Sequence, residues 1–221
     1  MRGTLGADGH DPDVSGQGGS PGRVVEHRSE RERGSERGRT MGCMITGPAP
    51  RDCPFAILGL QPAFELDRGE LQQRWLELSA TLHPDRAADP EQAAIRLAVV
   101  NRAKQILEDD EQRAAALLRR LGGPGADTDK SLPDGFLEEM LETRDRLESA
   151  KASNDPRAAE ELTLWADEKR AGIMRRVRDL FLLEAQAPDR RAEVLHAVRR
   201  ELNAWRYIER LREQLADVAG P

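Results

Sequence analysis

From Cys53 almost to the C-terminus, apolar residues recur every three or four positions, and no stretch alternates apolar and polar as a half-buried strand would. That periodicity confines the chain to packed amphipathic helices. Composition points the same way. With 33% charged and only 4% aromatic residues, and a mean hydropathy of -0.68, the chain suits long solvated helices. Sandwiches and barrels draw instead on β-branched and aromatic side chains.

The helices can be placed one by one. The stretch CPFAILGL is a short helix or turn ended by Gly59. Asp67 then reads as an N-cap, with Glu70 three residues later completing a capping-box pattern. Behind it Leu71, Trp75, Leu78 and Leu82 share one helical face. Pro84 stops that helix, because the residue before a proline resists the α conformation. After the polar loop HPDRAADPE, Asp89 and Pro90 open a second helix traced by Ile95, Val99, Arg102, Ile106 and Leu107. Val100 and Ala103 widen its stripe. A short helix, QRAAALLRRL, ends at Gly122 and Gly123.

Three longer helices follow. The first is expected over Leu132–Ala152, with Phe136, Leu137, Met140, Leu141, Arg144 and Leu147 as periodic positions. Asp155 and Pro156 cap and open the second, which runs to about Gln186 with Leu162, Trp165, Ile173, Val177, Leu180 and Phe181 as core. Pro188 opens the third, where Val194, Val198, Leu202, Trp205, Ile208, Leu211 and Leu215 recur at helical spacing. The expected fold is all-α: a helical hairpin followed by a three-helix antiparallel bundle. The expected organisation is a leader at 1–50, a hairpin domain at 51–122, a linker at 123–131 (GGPGADTDKS gives it its Gly and Ser) and the bundle at 132–219.

Residues 1–50 contain no Phe, Tyr or Trp, are crowded with Gly, and include HRSERERGSERGR, which interleaves both charges without an apolar face. Such a segment cannot offset its ordering entropy by burial, so disorder is expected. Met41 and Met44 precede the helical region, and the Asp and Glu residues of the leader speak against a transit peptide. No apolar run approaches the ~20 residues of a membrane span, and no membrane partner is expected. The net charge of -6, from 34 bases against 40 acids, lacks the clustered basic footprint of a nucleic-acid binder. Cys43 and Cys53 are too few for a disulfide framework or a four-ligand zinc site, so no metal or cofactor is expected and a reducing compartment is the default.

Between the first two helices of the hairpin stands His83-Pro84-Asp85. A given tripeptide arises by chance in about one chain in a hundred of this length, so its context carries the signal. Pro84 fixes the backbone and forces a turn, leaving His83 and Asp85 to project from the tip of the hairpin. Two antiparallel helices joined in this way, with FAILGL a helix-length upstream, resemble the J domain of DnaJ-type co-chaperones. The resemblance implies a docking loop for a DnaK-class chaperone ATPase. In it Asp85 pairs with an arginine of the partner, and His83 orients the loop instead of acting as a base. Such a chain shifts the conformational population of a partner that performs the hydrolysis. J domains also carry a basic face on the helix before this loop. Here it reduces to Arg74 and Arg86, against Glu70 and Glu77, so electrostatic steering is expected to be weak.

The remainder narrows the family. No Gly/Phe-rich stretch or CxxCxGxG repeat follows the hairpin. Instead QRAAALLRRLG resembles the RAEYLL-type helix joining the two domains of HscB, PDGFLEEMLETRDRLESA resembles its scaffold-binding helix, and AWRYIERLREQL its closing helix. The resemblance covers about residues 53–218 and implies a co-chaperone that hands an IscU-like iron–sulphur scaffold to a DnaK/HscA-class ATPase, located in the cytoplasm, or in the mitochondrial matrix of a eukaryote. Carried over by position, it implies Leu137 and Leu141 as apolar anchors for the scaffold. Glu142 and Asp145 become flanking acidic contacts, and Tyr207 completes the patch in place of a usual Phe. Glu138 stands where the family often has Met, and Ser149 where it has an acid. Leucines at i and i+4 are also what a bundle core uses, so the two readings of Leu137 and Leu141 compete.

No paired carboxylates, nucleophile–base set or phosphate loop occurs in a suitable context, and no enzyme activity is expected. His10 and His27 lie in the leader, and His196 reads as a solvated or capping side chain. Trp75, Trp165 and Trp205 read as core fillers, and the arginines from Arg175 to Arg178 as a solvated face. Two alternatives stay open: a J protein whose bundle recruits a different client, and a structural helical adaptor in which His-Pro-Asp is accidental.

Overall fold

In a computed structural model the backbone is described over residues 52–219. The features expected in the leader, with Met41, Met44, Cys43, His10 and His27, lie outside the described residues. So does the side chain of Arg86. Along the described chain run α1 (Pro54–Leu58), α2 (Arg68–Thr81), α3 (Pro90–Glu108), α4 (Asp110–Arg120), α5 (Phe136–Ser153), α6 (Pro156–Gln186) and α7 (Arg191–Ala219). Short 3-10 turns occupy Pro84–Arg86 and Pro188–Arg190. No strand occurs among the described residues. The fold is all-α.

Aspartates start most of these helices. The carboxylates of Asp67, Asp89, Asp109 and Asp155 accept backbone N–H groups of the first turns of α2, α3, α4 and α6. Each satisfies donors that the helix itself leaves unpaired. Two boundaries differ from expectation. Helix α5 begins at Phe136 and not at Leu132, because Gly135 stands at φ +73°, a left-handed conformation that cannot extend a right-handed helix. Helix α7 begins at Arg191 and not at Pro188, the intervening three residues forming a 3-10 turn.

Polar contacts set the register of the hairpin. The indole N–H of Trp75 on α2 donates to Asn101 on α3 at 2.8 Å, which makes the two helices antiparallel about the Pro84–Arg86 turn. The buried stripe of α3 is Ala93, Val100, Ala103 and Leu107. Ile95 and Val99, expected to trace it, are 52% and 47% exposed, and Arg102 is exposed as well. The two stripes lie on neighbouring faces of one helix, and the one with alanines lets α1 and α2 approach closely. Trp75 and Trp165 are likewise half-buried covers and not core fillers, each with a lysine ammonium (Lys104, Lys169) over its ring. Trp205 is fully buried.

In the bundle, Arg176–Glu201 (3.0 Å), Arg170–Glu209 (2.6 Å) and Asp167–Arg212 (2.7 Å) run in order along an antiparallel α6–α7 seam. Beneath it Leu162, Ile173 and Val177 meet Val198, Leu202, Trp205 and Ile208, all essentially inaccessible. Each such side chain stabilises the fold by about 1.5–3 kcal/mol relative to exposure. Lys169 on α6 pairs with Glu139 on α5, and the tight turn at Asn154–Asp155 makes those helices antiparallel too. It follows that α5 and α7 run parallel.

Hairpin and bundle belong to one compact unit. Arg113 on α4 is buried and fully engaged, donating to the Phe64 and Leu107 carbonyls and, at 2.6 Å, to Asp110. Asp110 also receives Arg170 from α6 at 3.5 Å. The rings of Phe64 and Phe181 lie 5.8 Å apart, Arg206 pairs with Glu111 at 2.8 Å, and Arg178 pairs with Glu65. The arginines at 176 and 178 are therefore tied down and not merely solvated. Residues between α4 and α5 are held on α7. Asn203 donates to the Asp129 and Ser131 carbonyls, and His196 reaches the Asp129 carboxylate at 2.9 Å.

Candidate docking turn and bundle groove

The turn after α2 is built by its own three residues. Pro84 starts a 3-10 turn that Ala87 N–H closes on the Pro84 carbonyl. His83 sits at its N-cap, and its Nδ1 accepts the Asp85 backbone N–H at 3.3 Å. The Asp85 carboxylate is 85% exposed and, among the described side chains, lies 3.6 Å from the His83 ring. The tip of the hairpin thus presents an acceptor and an imidazole on a preorganised backbone. Arg74, two turns back along α2, pairs with Glu77 at 3.4 Å, so that helix offers little free positive charge.

A separate groove of about 620 Å³ lies between α5 and α7. At one end Leu137 and Leu141, 54% and 58% exposed, face Tyr207, 43% exposed. The three stand on the surface and not in the core. Phe136 is buried beneath and meets the Tyr207 ring edge-on. The floor is Met140, Leu147 and Leu211. Toward the other end the walls turn polar, with Arg144, Glu148 and Lys151 on α5 and Arg210 and Gln214 on α7.

The expected acidic residues lie elsewhere. Glu138 and Glu142 are exposed on the flank of α5 outside the groove, and Asp145 lines a different hollow with Ser149 and Glu161, between α5 and α6. The sequence does bring Leu137, Leu141 and Tyr207 together, but reading it by family position missed the basic wall. Its signal was present as the stripe Arg144, Glu148, Lys151 continuing Leu137 and Leu141 at helical spacing, and as Arg210 and Gln214 continuing Tyr207.

Among the described residues no cluster of His, Cys, Asp and Glu could hold a metal ion, and no helix is long and apolar enough to cross a membrane. Cys53 is a buried free thiol.

Comparison with known proteins covers both regions. The DnaJ domain family model matches residues 53–116, and that of the HscB C-terminal oligomerisation domain matches residues 132–216. A co-chaperone protein HscB homolog of Ralstonia nicotianae is 35% identical over 127 residues, which cover 54% of this chain and 72% of that one. The chain belongs to the HscB co-chaperone family.

A Bordetella avium HscB homolog aligns over 74% of the chain and 95% of its own length at 28% identity. The fold is shared with human HscB (TM-score 0.63, 19% identity, 86% of this chain and 95% of that one). It is shared also with HscB from Vibrio cholerae (TM-score 0.58, 24% identity, 73% and 94%). Membership makes this chain a co-chaperone of the type that serves iron–sulphur cluster assembly, and not itself an enzyme. The His83-Pro84-Asp85 turn falls inside the DnaJ-domain match, and both walls of the groove fall inside the second match.

Proposed function

We propose that this chain stimulates ATP hydrolysis by a DnaK/HscA-class chaperone through His83-Pro84-Asp85, and delivers to it an IscU-like scaffold seated on the α5–α7 groove. The observation that carries the reading is the pairing of two exposed features on one fastened body. A solvent-facing carboxylate stands at the hairpin tip, and an apolar patch stands on the bundle. Asp85, exposed at the tip, meets a cation of the chaperone in a charge-assisted contact, while the imidazole of His83 holds the turn that aims it. Leu137, Leu141 and Tyr207 supply the apolar area that the scaffold covers, with Glu138, Glu142 and Asp145 on the outer flank of the same helix. Arg74 and Arg86 are secondary contacts to the chaperone. Arg74 is already half-neutralised by Glu77.

Holding both sites on one body raises the effective concentration of scaffold at the chaperone without any new contact. The test is single-turnover ATP hydrolysis by the chaperone with this chain, then with this chain and scaffold together. Stimulation that rises further with scaffold, and loses that increment in a Leu137→Ala/Leu141→Ala variant, supports the reading. Stimulation indifferent to scaffold leaves a J protein with a different client.

A further inference from the structure

We infer that the α5–α7 groove selects an apolar side chain flanked by carboxylates, with Arg210 and Lys151 as the residues that require the acid. The inference rests on the groove being the scaffold site and goes on to name the chemistry it demands of the scaffold.

Charge is the first ground. The groove is lined by three cations, Arg144, Lys151 and Arg210, and one acid, Glu148. Arg144 and Glu148 pair with each other at 3.1 Å, which leaves the charges of Lys151 and Arg210. Among the described side chains neither of these two is ion-paired, and both are exposed. A chain of net charge -6 thus concentrates positive charge in its exposed apolar groove. The acids that position alone would assign to the site, Glu138, Glu142 and Asp145, face away from it.

Desolvation is the second ground. A partner that covers Leu141 and Leu211 also removes water from the neighbouring guanidinium. An unpaired cation so covered opposes binding, whereas one that meets a carboxylate favours it. The helix geometry gives the spacing. Since α5 and α7 run parallel, Arg210 stands about 4.5 Å along the axis from Tyr207, beside the apolar end. Lys151 lies about 15 Å beyond Leu141. The fitting surface therefore carries an apolar anchor, a carboxylate next to it for Arg210, and a second acid some three turns farther for Lys151.

The test uses the full chain and the cluster-free IscU-like scaffold of the same genome, with affinity measured by calorimetry at about 50 mM and about 300 mM salt, where screening differs strongly. The variants are Arg210→Glu with Lys151→Glu, the same pair changed to Gln, and Leu137→Ala with Leu141→Ala. Thermal melting serves as the folding control. Charge reversal is expected to weaken binding about tenfold at low salt and to flatten its salt dependence, with the Gln pair intermediate. The leucine pair is expected to weaken binding at both salts.

If reversal leaves affinity and salt dependence unchanged while the leucine pair abolishes binding, the acid requirement is wrong and the scaffold site stands. If the leucine pair binds like the parent, or the parent does not bind, the groove is not the scaffold site and both readings fall.

Discussion

The Tyr207 ring meets Phe136 edge-on, with centroids 6.0 Å apart and planes at 70°. One ring is buried and the other half out of the surface, so the core of α5 props up an exposed aromatic of α7. The two substitutions should therefore separate stability from binding. Phe136→Ala is expected to cost about 3 kcal/mol in urea unfolding. Tyr207→Ala should change stability by less than about 1 kcal/mol yet weaken scaffold binding about tenfold, and Tyr207→Phe should bind like the parent.

Arg113 joins three segments through its contacts to Phe64, Leu107 and Asp110, and Asp110 extends the network to Arg170 on the bundle. Removing the guanidinium leaves two carbonyls and a carboxylate short of a partner in a buried place. Arg113→Ala is expected to lower unfolding stability by about 3–5 kcal/mol. Arg170→Ala, more exposed, should cost less. Chemical denaturation of both variants checks the order.

Much of this was legible beforehand, because α-helix signals are local. Asp67, Asp89 and Asp155, with Pro90 and Pro156, marked helix starts that the structure keeps. What escaped was anything decided between elements. Two stripes of α3 could each serve as core, and Ile95 with Val99 is the more apolar. The packing uses Ala93 and Ala103 because neighbouring helices come close there. Trp75 found a hydrogen bond to Asn101 from the far side of the hairpin, which no periodicity reports. At the groove, family position found Leu137, Leu141 and Tyr207. The basic wall escaped because it forms only where α7 is set beside α5. The sequence reads His196 as a solvated or capping side chain, since its partner Asp129 is distant along the chain.

The Asp129 carboxyl is held down at about 2, against an ordinary 3.8, first by the Ser131 hydroxyl and its backbone N–H and then by His196. A carboxyl lowered on folding contributes stability above its ordinary value, which is lost as pH falls toward the lowered one. The segment before α5 should therefore loosen between about pH 4 and pH 2. Asp129→Asn is expected to cost about 1–2 kcal/mol at neutral pH and to flatten the acid limb of a stability-against-pH curve. An unchanged acid limb would show that Asp129 does not hold the segment before α5.

Arg199 is only 3% exposed, and its Nε and one terminal nitrogen have no hydrogen-bond partner among the described residues. Burial pushes its pKa down, and Arg206 adds to the shift while Glu111 and Asp129 oppose it. A buried cation left partly unsatisfied is costly, and an apolar side chain of similar length removes that cost. Arg199→Met is expected to raise stability by about 1 kcal/mol, read as a higher midpoint in thermal unfolding. A clear loss of stability would show that the guanidinium is satisfied in solution.

The hairpin tip is proposed to act on a chaperone through an aimed carboxylate. Single-turnover ATP hydrolysis by the DnaK/HscA-class chaperone of the same genome tests it most directly, with the parent chain, His83→Gln and Asp85→Asn compared at equal concentration. Stimulation by the parent and its near-complete loss in both variants are expected, with their helix content and melting unchanged. Equal stimulation by all three, or none by the parent, would contradict it.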